Sequence, residues 1–341
     1  MGPFTASGDE NRMRWDGLTR GFMEVWYVTL HHRRTGVGAW FRYTLTAPKD
    51  SSLEPYCELW AFYFDPEGKR SFSGKKRFGI DRLAPRIGRD DGALIRIEDA
   101  FLSENHLEGQ VTAGDRTLAW SLDFQPQQRC FQHLPAQIRD RVAGRASTLC
   151  SPNLSVPFYG TIELDGETLE LEGDPGSQTH RWGRAHARAW AWAHCSAFDE
   201  GDSAIFEGLA AVPSLGSLPS PTVTFLYLEH EGQALGFNDL RQSLAARSRF
   251  ELPTWAFTAK NDSWKIAGAV RVKLDRTVQV RYDDPDGTAR YCANSELGDL
   301  AIEIYRRESA VWRHHASLTA TGTAPAEFGR RDRFLDLEVA F

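Results

Sequence analysis

The 341 residues carry 40 basic and 46 acidic side chains, a net charge of −6, and 41% apolar content. The signs are interspersed without a long basic run, which excludes the electrostatic footprint of a nucleic-acid partner and leaves membrane contact at most peripheral. The length is long for one sandwich or barrel and ample for two. Met1 to Gly17 is polar and lacks an apolar signal core, and no stretch approaches the roughly 20 apolar residues of a membrane helix, so a soluble cytoplasmic protein is expected. Cys57, Cys130, Cys150, Cys195 and Cys292 are widely spaced, odd in number and without CxxC spacing, which fits reduced, buried thiols.

In chain order, period-two alternation with aromatic and β-branched enrichment predicts strands over 24–30, 39–46, 58–65, 94–98, 118–124, 161–164, 190–197, 222–229, 233–237, 267–274, 277–282, 300–306 and 316–324. Reversals are signalled by Asp65-Pro66-Glu67-Gly68, Asp165-Gly166, His230-Glu231-Gly232 and Asp283-Asp284-Pro285-Asp286-Gly287, because Gly accepts positive φ and Pro presets the first turn residue. Helix is expected only over 135–142 and over 239–246, where Asp239 would cap the first turn. A βαβ sheet is therefore excluded. Thr148 to Pro157, with two prolines, reads as the boundary between two β-rich domains, 1–155 and 156–341. The aromatic strands 58–65 and 190–199 both end in Phe-Asp, an echo that would suit a duplicated barrel.

The densest chemistry lies in Gly173 to Cys195, where three of ten histidines and three of eleven tryptophans fall within 23 residues. On a strand, Trp190, Trp192 and His194 share one face, which would line a lumen or ligand cleft or simply fill a core, while Ala191, Ala193 and Cys195 share the other. His180 and Trp182 share a side if extended, and Asp174-Pro175-Gly176 should turn the chain sharply just before them. Acidic residues set in apolar strands, Glu24, Glu58 and Glu207, are candidate in-pocket acids, since burial raises a carboxyl pKa; the alternative is pairing with arginine. His180, His186, His194 and Cys195 are metal-ligand types, but their spacing matches no ligand pattern and no metal is expected. There is no nucleophile elbow, P-loop, dinucleotide fingerprint, HExxH or kinase signature, which favours a cofactor-free site. Nothing in the sequence specifies an oligomeric state.

His180-Arg181-Trp182-Gly183, the Trp190-x-Trp192 strand, Glu24-x-Trp26-Tyr27, Cys292-x-Asn294-Ser295 and Asp299-Leu300 together resemble the AttH/CrtC-like tandem lipocalin-like proteins. That group includes carotenoid 1,2-hydratases (hydroxyneurosporene synthases) and is similar to tocopherol cyclase-like proteins. The resemblance implies an all-β chain of two lipocalin-like antiparallel barrels in tandem with few short helices. It also implies an apolar pocket in or between them, and acid-initiated chemistry in which aromatic faces hold a carbocation. His180 and Trp182 match the hydratases' His-x-Trp pair; the aspartate that the hydratases use beside a tyrosine is not placed here. The expectation is a cofactor-independent cyclase, hydratase or isomerase of a terpenoid or polyene-like substrate. His180, Glu24 or Glu207 would be the acid, and Trp182, Trp190, Trp192, His194, Trp26 and Trp60 the binding wall. The competing reading is a non-catalytic carrier of a lipid or isoprenoid, in which the same aromatics supply affinity alone.

Overall fold

A computed structural model describes residues 4–6, 8–84, 92–134, 147–214 and 220–341. Alternation sets the architecture: along most strands one set of side chains is apolar and buried together, and the described residues wind into two antiparallel sheets of thirteen and ten strands. The first holds β1 (Phe4–Ala6), β2 (Phe22–His31), β3 (Gly38–Ala47), β4 (Tyr56–Phe64), β5 (Phe72–Gly79), β6 (Leu83–Ala84), β7 (Ala93–Ile97), β8 (Ala100–Ser103), β9 (His106–Ala113), β10 (Arg116–Phe124), β11 (Arg129–Gln132), β12 (Thr148–Leu164) and β13 (Glu167–Gly183). The second holds β14 (Ala189–Cys195), β15 (Ala204–Val212), β16 (Val223–His230), β17 (Gln233–Phe237), β18 (Arg247–Glu251), β19 (Thr254–Lys260), β20 (Trp264–Arg271), β21 (Val278–Asp283), β22 (Ala289–Glu308) and β23 (Val311–Arg330). The expected all-β tandem of lipocalin-like barrels is what the chain adopts.

The two sheets repeat one strand order. The first runs β4-β3-β2-β13-β12-β10-β9 through its middle, and the second runs β16-β15-β14-β23-β22-β20-β19. The topological counterpart of β14 is thus β2, not the β4 segment that echoes it in sequence. Each sheet closes around its own core: Trp26, Phe41, Tyr43, Leu59, Trp120 and Phe158 fill the first, and Ala193, Phe206, Trp255, Phe257, Ile302 and Phe328 fill the second. The first sheet curls until Gly74 on β5 nearly touches Val111 on β9, where a Cβ would stand 2.9 Å from the valine. The other faces of β2, β3, β4 and β14 meet in a third apolar layer between the sheets, built on Trp40, Trp60, Phe62, Trp190, Trp192 and Tyr282.

Every strand expected from alternation overlaps an observed one, and the four turns fall where expected; at Asp165-Gly166 both residues take positive φ, 53° and 83°. The helix Leu240–Ala245 forms with Asp239 accepting the Gln242 amide at 2.8 Å. The helix expected over 135–142 lies outside the described residues. Asp174-Pro175-Gly176 does not turn the chain: it lies inside β13. Pro175 sits opposite Pro157, and pairing to β2 starts only at Gly176, so the missing N–H leaves no acceptor on β2 unmet. The 155/156 division falls within β12, and the first sheet continues to Gly183. All five cysteines are free thiols and buried. Among the described residues no helix is long and apolar enough to cross a membrane.

Candidate functional site

The sequence-predicted residues separate into two buried clusters on opposite faces of the β2–β13 ribbon. Register puts Trp26 opposite His180 and Glu24 opposite Trp182, all facing the first barrel. His180 stacks on Trp26 at 4.4 Å between ring centroids and lies 4.7 Å from Trp182. Its Nε2 is 2.9 Å from Glu24 Oε1 and its Nδ1 is 2.7 Å from the Glu10 carbonyl. Glu24 also accepts the Arg14 amide at 2.7 Å and the Trp15 amide at 2.9 Å, and the Trp26 indole donates to the Asn11 carbonyl. Both ring nitrogens and both carboxylate oxygens are consumed, with His180 and Glu24 each 0% exposed. The cluster fastens residues 10–15 across the barrel end.

The second cluster occupies the layer between the sheets. On β14, alternation turns Trp190, Trp192 and His194 toward this layer, while Ala191, Ala193 and Cys195 pack into the second barrel. Glu207 lies opposite His194 on β15. Its Oε1 accepts the Trp192 indole at 2.6 Å and lies 2.7 Å from His133 Nε2, and its Oε2 lies 2.9 Å from His194 Nδ1. Burial pushes the Glu207 pKa up, but the hydrogen bonds from the two imidazoles outweigh burial and hold it down at about 2. Burial alone suggests the opposite direction. His133 follows β11, so this carboxylate ties the first sheet to the second. His194 Nε2 and His133 Nδ1 have no hydrogen-bond partner, and His194 lines a cavity of about 10 Å³ with Thr29, His31, Ser196 and Thr323.

Four groups in this layer escaped the sequence reading. Glu296, on β22 and 1% exposed, accepts a short hydrogen bond from the Thr29 hydroxyl on Oε2, while Oε1 meets no donor at hydrogen-bond geometry. Burial drives its pKa up to about 8, with the Glu327 charge adding to the rise and the Thr29 hydroxyl and the Asn294 side chain pulling against it. Glu327 sits in register between Trp192 and Asn294; it retains some exposure, but the protein crowding its carboxylate raises its pKa too. Asp284 accepts the His186 ring at 2.6 Å, and burial, with Arg181 nearby, lowers that imidazole to about 3. Tyr282 stacks on His186 and on Trp190 and carries the Arg42 guanidinium at 4.2 Å. Tyr282 and Asp284 stand two apart at the mouth of the turn read from Asp283 to Gly287, where the turn chemistry masked the second role. For Glu327, in Ala324-Pro325-Ala326-Glu327-Phe328, the signal was its place in an apolar strand, the feature that marked Glu207; Glu296, in Asn294-Ser295-Glu296-Leu297-Gly298, carries no such signal.

Around these groups stand Tyr27, Trp40, Trp60, Trp190, Trp192 and Tyr282. Tyr27 meets Trp192 edge-on at 5.8 Å, and Trp40 meets Trp60 at 6.5 Å. Glu58, a further candidate acid, is instead paired with Arg77 at 2.8 Å. Among the described residues no three His, Cys, Asp or Glu side chains gather as a group that could hold a metal ion. The layer therefore combines an ionised carboxylate between imidazoles, a carboxyl held protonated near neutral pH, and a wall of indole and phenol faces.

The sequence profile described as tocopherol cyclase-like matches residues 156–329. Two uncharacterized proteins of Mycobacterium tuberculosis, from strains CDC 1551 / Oshkosh and H37Rv, are each 28% identical over 331 residues, covering 94% of this chain and 93% of theirs. Among solved structures, an AttH candidate of Nitrosomonas europaea has the same fold with a TM-score of 0.53 at 15% identity, over 96% of this chain and 100% of that one. The protein CghA matches with a TM-score of 0.51 at 9% identity, over 91% and 88%.

Proposed function

The chain belongs to the tocopherol cyclase-like family, and from that premise we propose that it is a cofactor-independent cyclase or hydratase of an apolar, isoprenoid-like alkene, working in the layer between its two sheets. The observation that carries this reading is Glu296, a buried carboxyl with no basic side chain within ion-pair distance among the described residues and no donor at hydrogen-bond geometry on Oε1, next in the chain to Leu297 of the aromatic layer. With Oε2 accepting from Thr29, its proton rests on Oε1. Transfer of that proton to an alkene carbon leaves the Glu296 carboxylate and a carbocation on the substrate. Indole and phenol faces stabilise such a cation by about 0.5 to 2 kcal/mol each, more when dry. Capture by water forms the C–O bond, and the oxygen's surplus proton returns to Glu296; in a cyclisation the new ring loses a C–H proton to the same carboxylate. Glu207, ionised between His133 and His194, orients that end of the site and stabilises positive charge. The cavity at His194 holds about one water, so a substrate enters as the side chains between the sheets part.

His180 and Glu24 are assigned to positioning in this reading, because neither has a hydrogen-bonding site left for a substrate. The test is incubation of wild type and Glu296→Gln with apolar extracts, followed by mass spectrometry. The expected result is a compound replaced by one of equal mass or one heavier by a water, with turnover reduced by about 10² or more in the variant. Recovery of an enriched compound unchanged from wild type contradicts catalysis and makes the chain a carrier.

A further inference from the structure

A separate cleft opens where four strand ends of the second sheet converge. Ala189 pairs with both Val212 and Arg330, and Arg330 pairs with Tyr291, which brings the start of β14, the end of β15, the start of β22 and the end of β23 to one rim. The cleft, open to solvent on one side, has a volume of about 780 Å³ and is lined by Arg188, Arg290, Arg330 and Arg331, with Asp332 the one acid among the described lining residues; Ala189, Val212 and Pro213 supply an apolar wall. In a chain of net charge −6, four guanidiniums against Asp332 in the lining and Asp284 behind Arg290 leave a local excess of positive charge.

The four arginines are held differently. Arg330 spends its guanidinium on the Asp332 carbonyl at 2.9 Å and the Arg333 carbonyl at 2.6 Å, and packs over Phe334 at 4.0 Å, which braces the turn that presents Arg331. Arg290 is 8% exposed; its Nε lies 3.2 Å from Asp284 Oδ2, within ion-pair distance, yet the angle is wrong for a hydrogen bond and both atoms are left without one. Arg188 is anchored through its backbone amide to the Val212 carbonyl at 2.8 Å, and its side chain is exposed, as is that of Arg331. Like charges converging on a concave surface repel one another, and a polyanion bridging them relieves that repulsion through charge-assisted, forked hydrogen bonds. The volume is that of a small-molecule site and exceeds what an inorganic anion fills.

We infer that this cleft is a binding site for an organic phosphate or diphosphate ester, its phosphoryl oxygens on Arg188, Arg290 and Arg331 and its apolar body against Ala189, Val212 and Pro213. The site stands independently of the chemistry assigned to Glu296. The test is calorimetric titration at low salt of wild type and of an Arg188→Ala, Arg331→Ala double variant, whose changed side chains are both exposed. The probes are inorganic diphosphate, a short alkyl diphosphate and acetate. Support consists of diphosphate binding that weakens with salt, falls by roughly tenfold or more in the variant, and is stronger for the alkyl ester. Failure of both diphosphates to bind, equal binding in the variant, or acetate binding as tightly as diphosphate overturns the site; equal affinity for inorganic and alkyl diphosphate overturns the organic body.

Discussion

The clusters at His180 and at Glu207 contain the same ingredients, an imidazole, a carboxylate and indoles, but their hydrogen bonds end differently. In the first, every polar atom of His180 and Glu24 is met by protein, and the partners are the backbone of residues 10–15. In the second, His133 Nδ1, His194 Nε2 and Glu296 Oε1 are left over, in a layer shared by both sheets. A saturated buried network holds a fold in one arrangement; one with unspent donors and a carboxyl pushed from its ordinary pKa has capacity for a ligand or a proton.

The largest effect expected from this contrast is on stability at the saturated cluster. His180→Ala takes the imidazole from the buried Glu24 carboxyl, releases the Glu10 carbonyl and leaves the space of the stacked ring empty, and should cost about 3 to 5 kcal/mol in chemical denaturation, with faster proteolysis of residues 8–21. A cost below about 1 kcal/mol would break the comparison by showing that the latch does not hold. Next is Gly329→Ala, because a Cβ there would overlap the Trp190 indole; displacing that ring should cost about 1 to 3 kcal/mol and lower turnover in the same variant.

The pH dependence of stability separates the carboxyls by sign. Glu207 is ionised in the fold down to about 2, so the stability it contributes is complete above its unfolded pKa of 4.5 and is lost as pH falls from there through 2. Glu296 holds its proton in the fold up to about 8 but loses it at 4.5 when unfolded, so its contribution is complete below 4.5 and declines as pH rises to 8. Thermal melts across pH 4.5 to 8 should therefore show a falling component that Glu296→Gln flattens. The smallest effect is that variant's stability near pH 5, within about 1 kcal/mol of wild type, since an amide replaces a neutral acid of the same shape.

Strands in which apolar and polar residues alternate were legible, as in 118–124, because a half-buried strand prints its period on the sequence; 39–46 alternates as well, although both its faces are buried. β13 was not, since Gly173, Pro175 and Gly176 carry turn chemistry that pairing overrides: a bulge absorbs Gly173, Gly176 pairs with Val156 and Leu30, and Pro175 sits where no bond to β2 is due. At the site, the sequence placed Trp190, Trp192 and His194 on one face correctly, but which sheet that face meets is fixed by long-range packing. The grouping of His180 with His194 failed for the same reason: neighbours in sequence, they lie on strands whose relevant faces look toward different cores. Glu296 acquires its character from Thr29 and Gly38, more than 250 residues away in the chain, and no local pattern reports that.

The most direct test of the central claim is a ¹³C NMR titration of glutamate side-chain carboxyls, with the Glu296 signal identified by its absence in Glu296→Gln. A carboxyl that titrates at about 8 is the predicted result; titration at or below the ordinary glutamate value of 4.5 would remove the proposed proton donor and with it the acid-initiated mechanism.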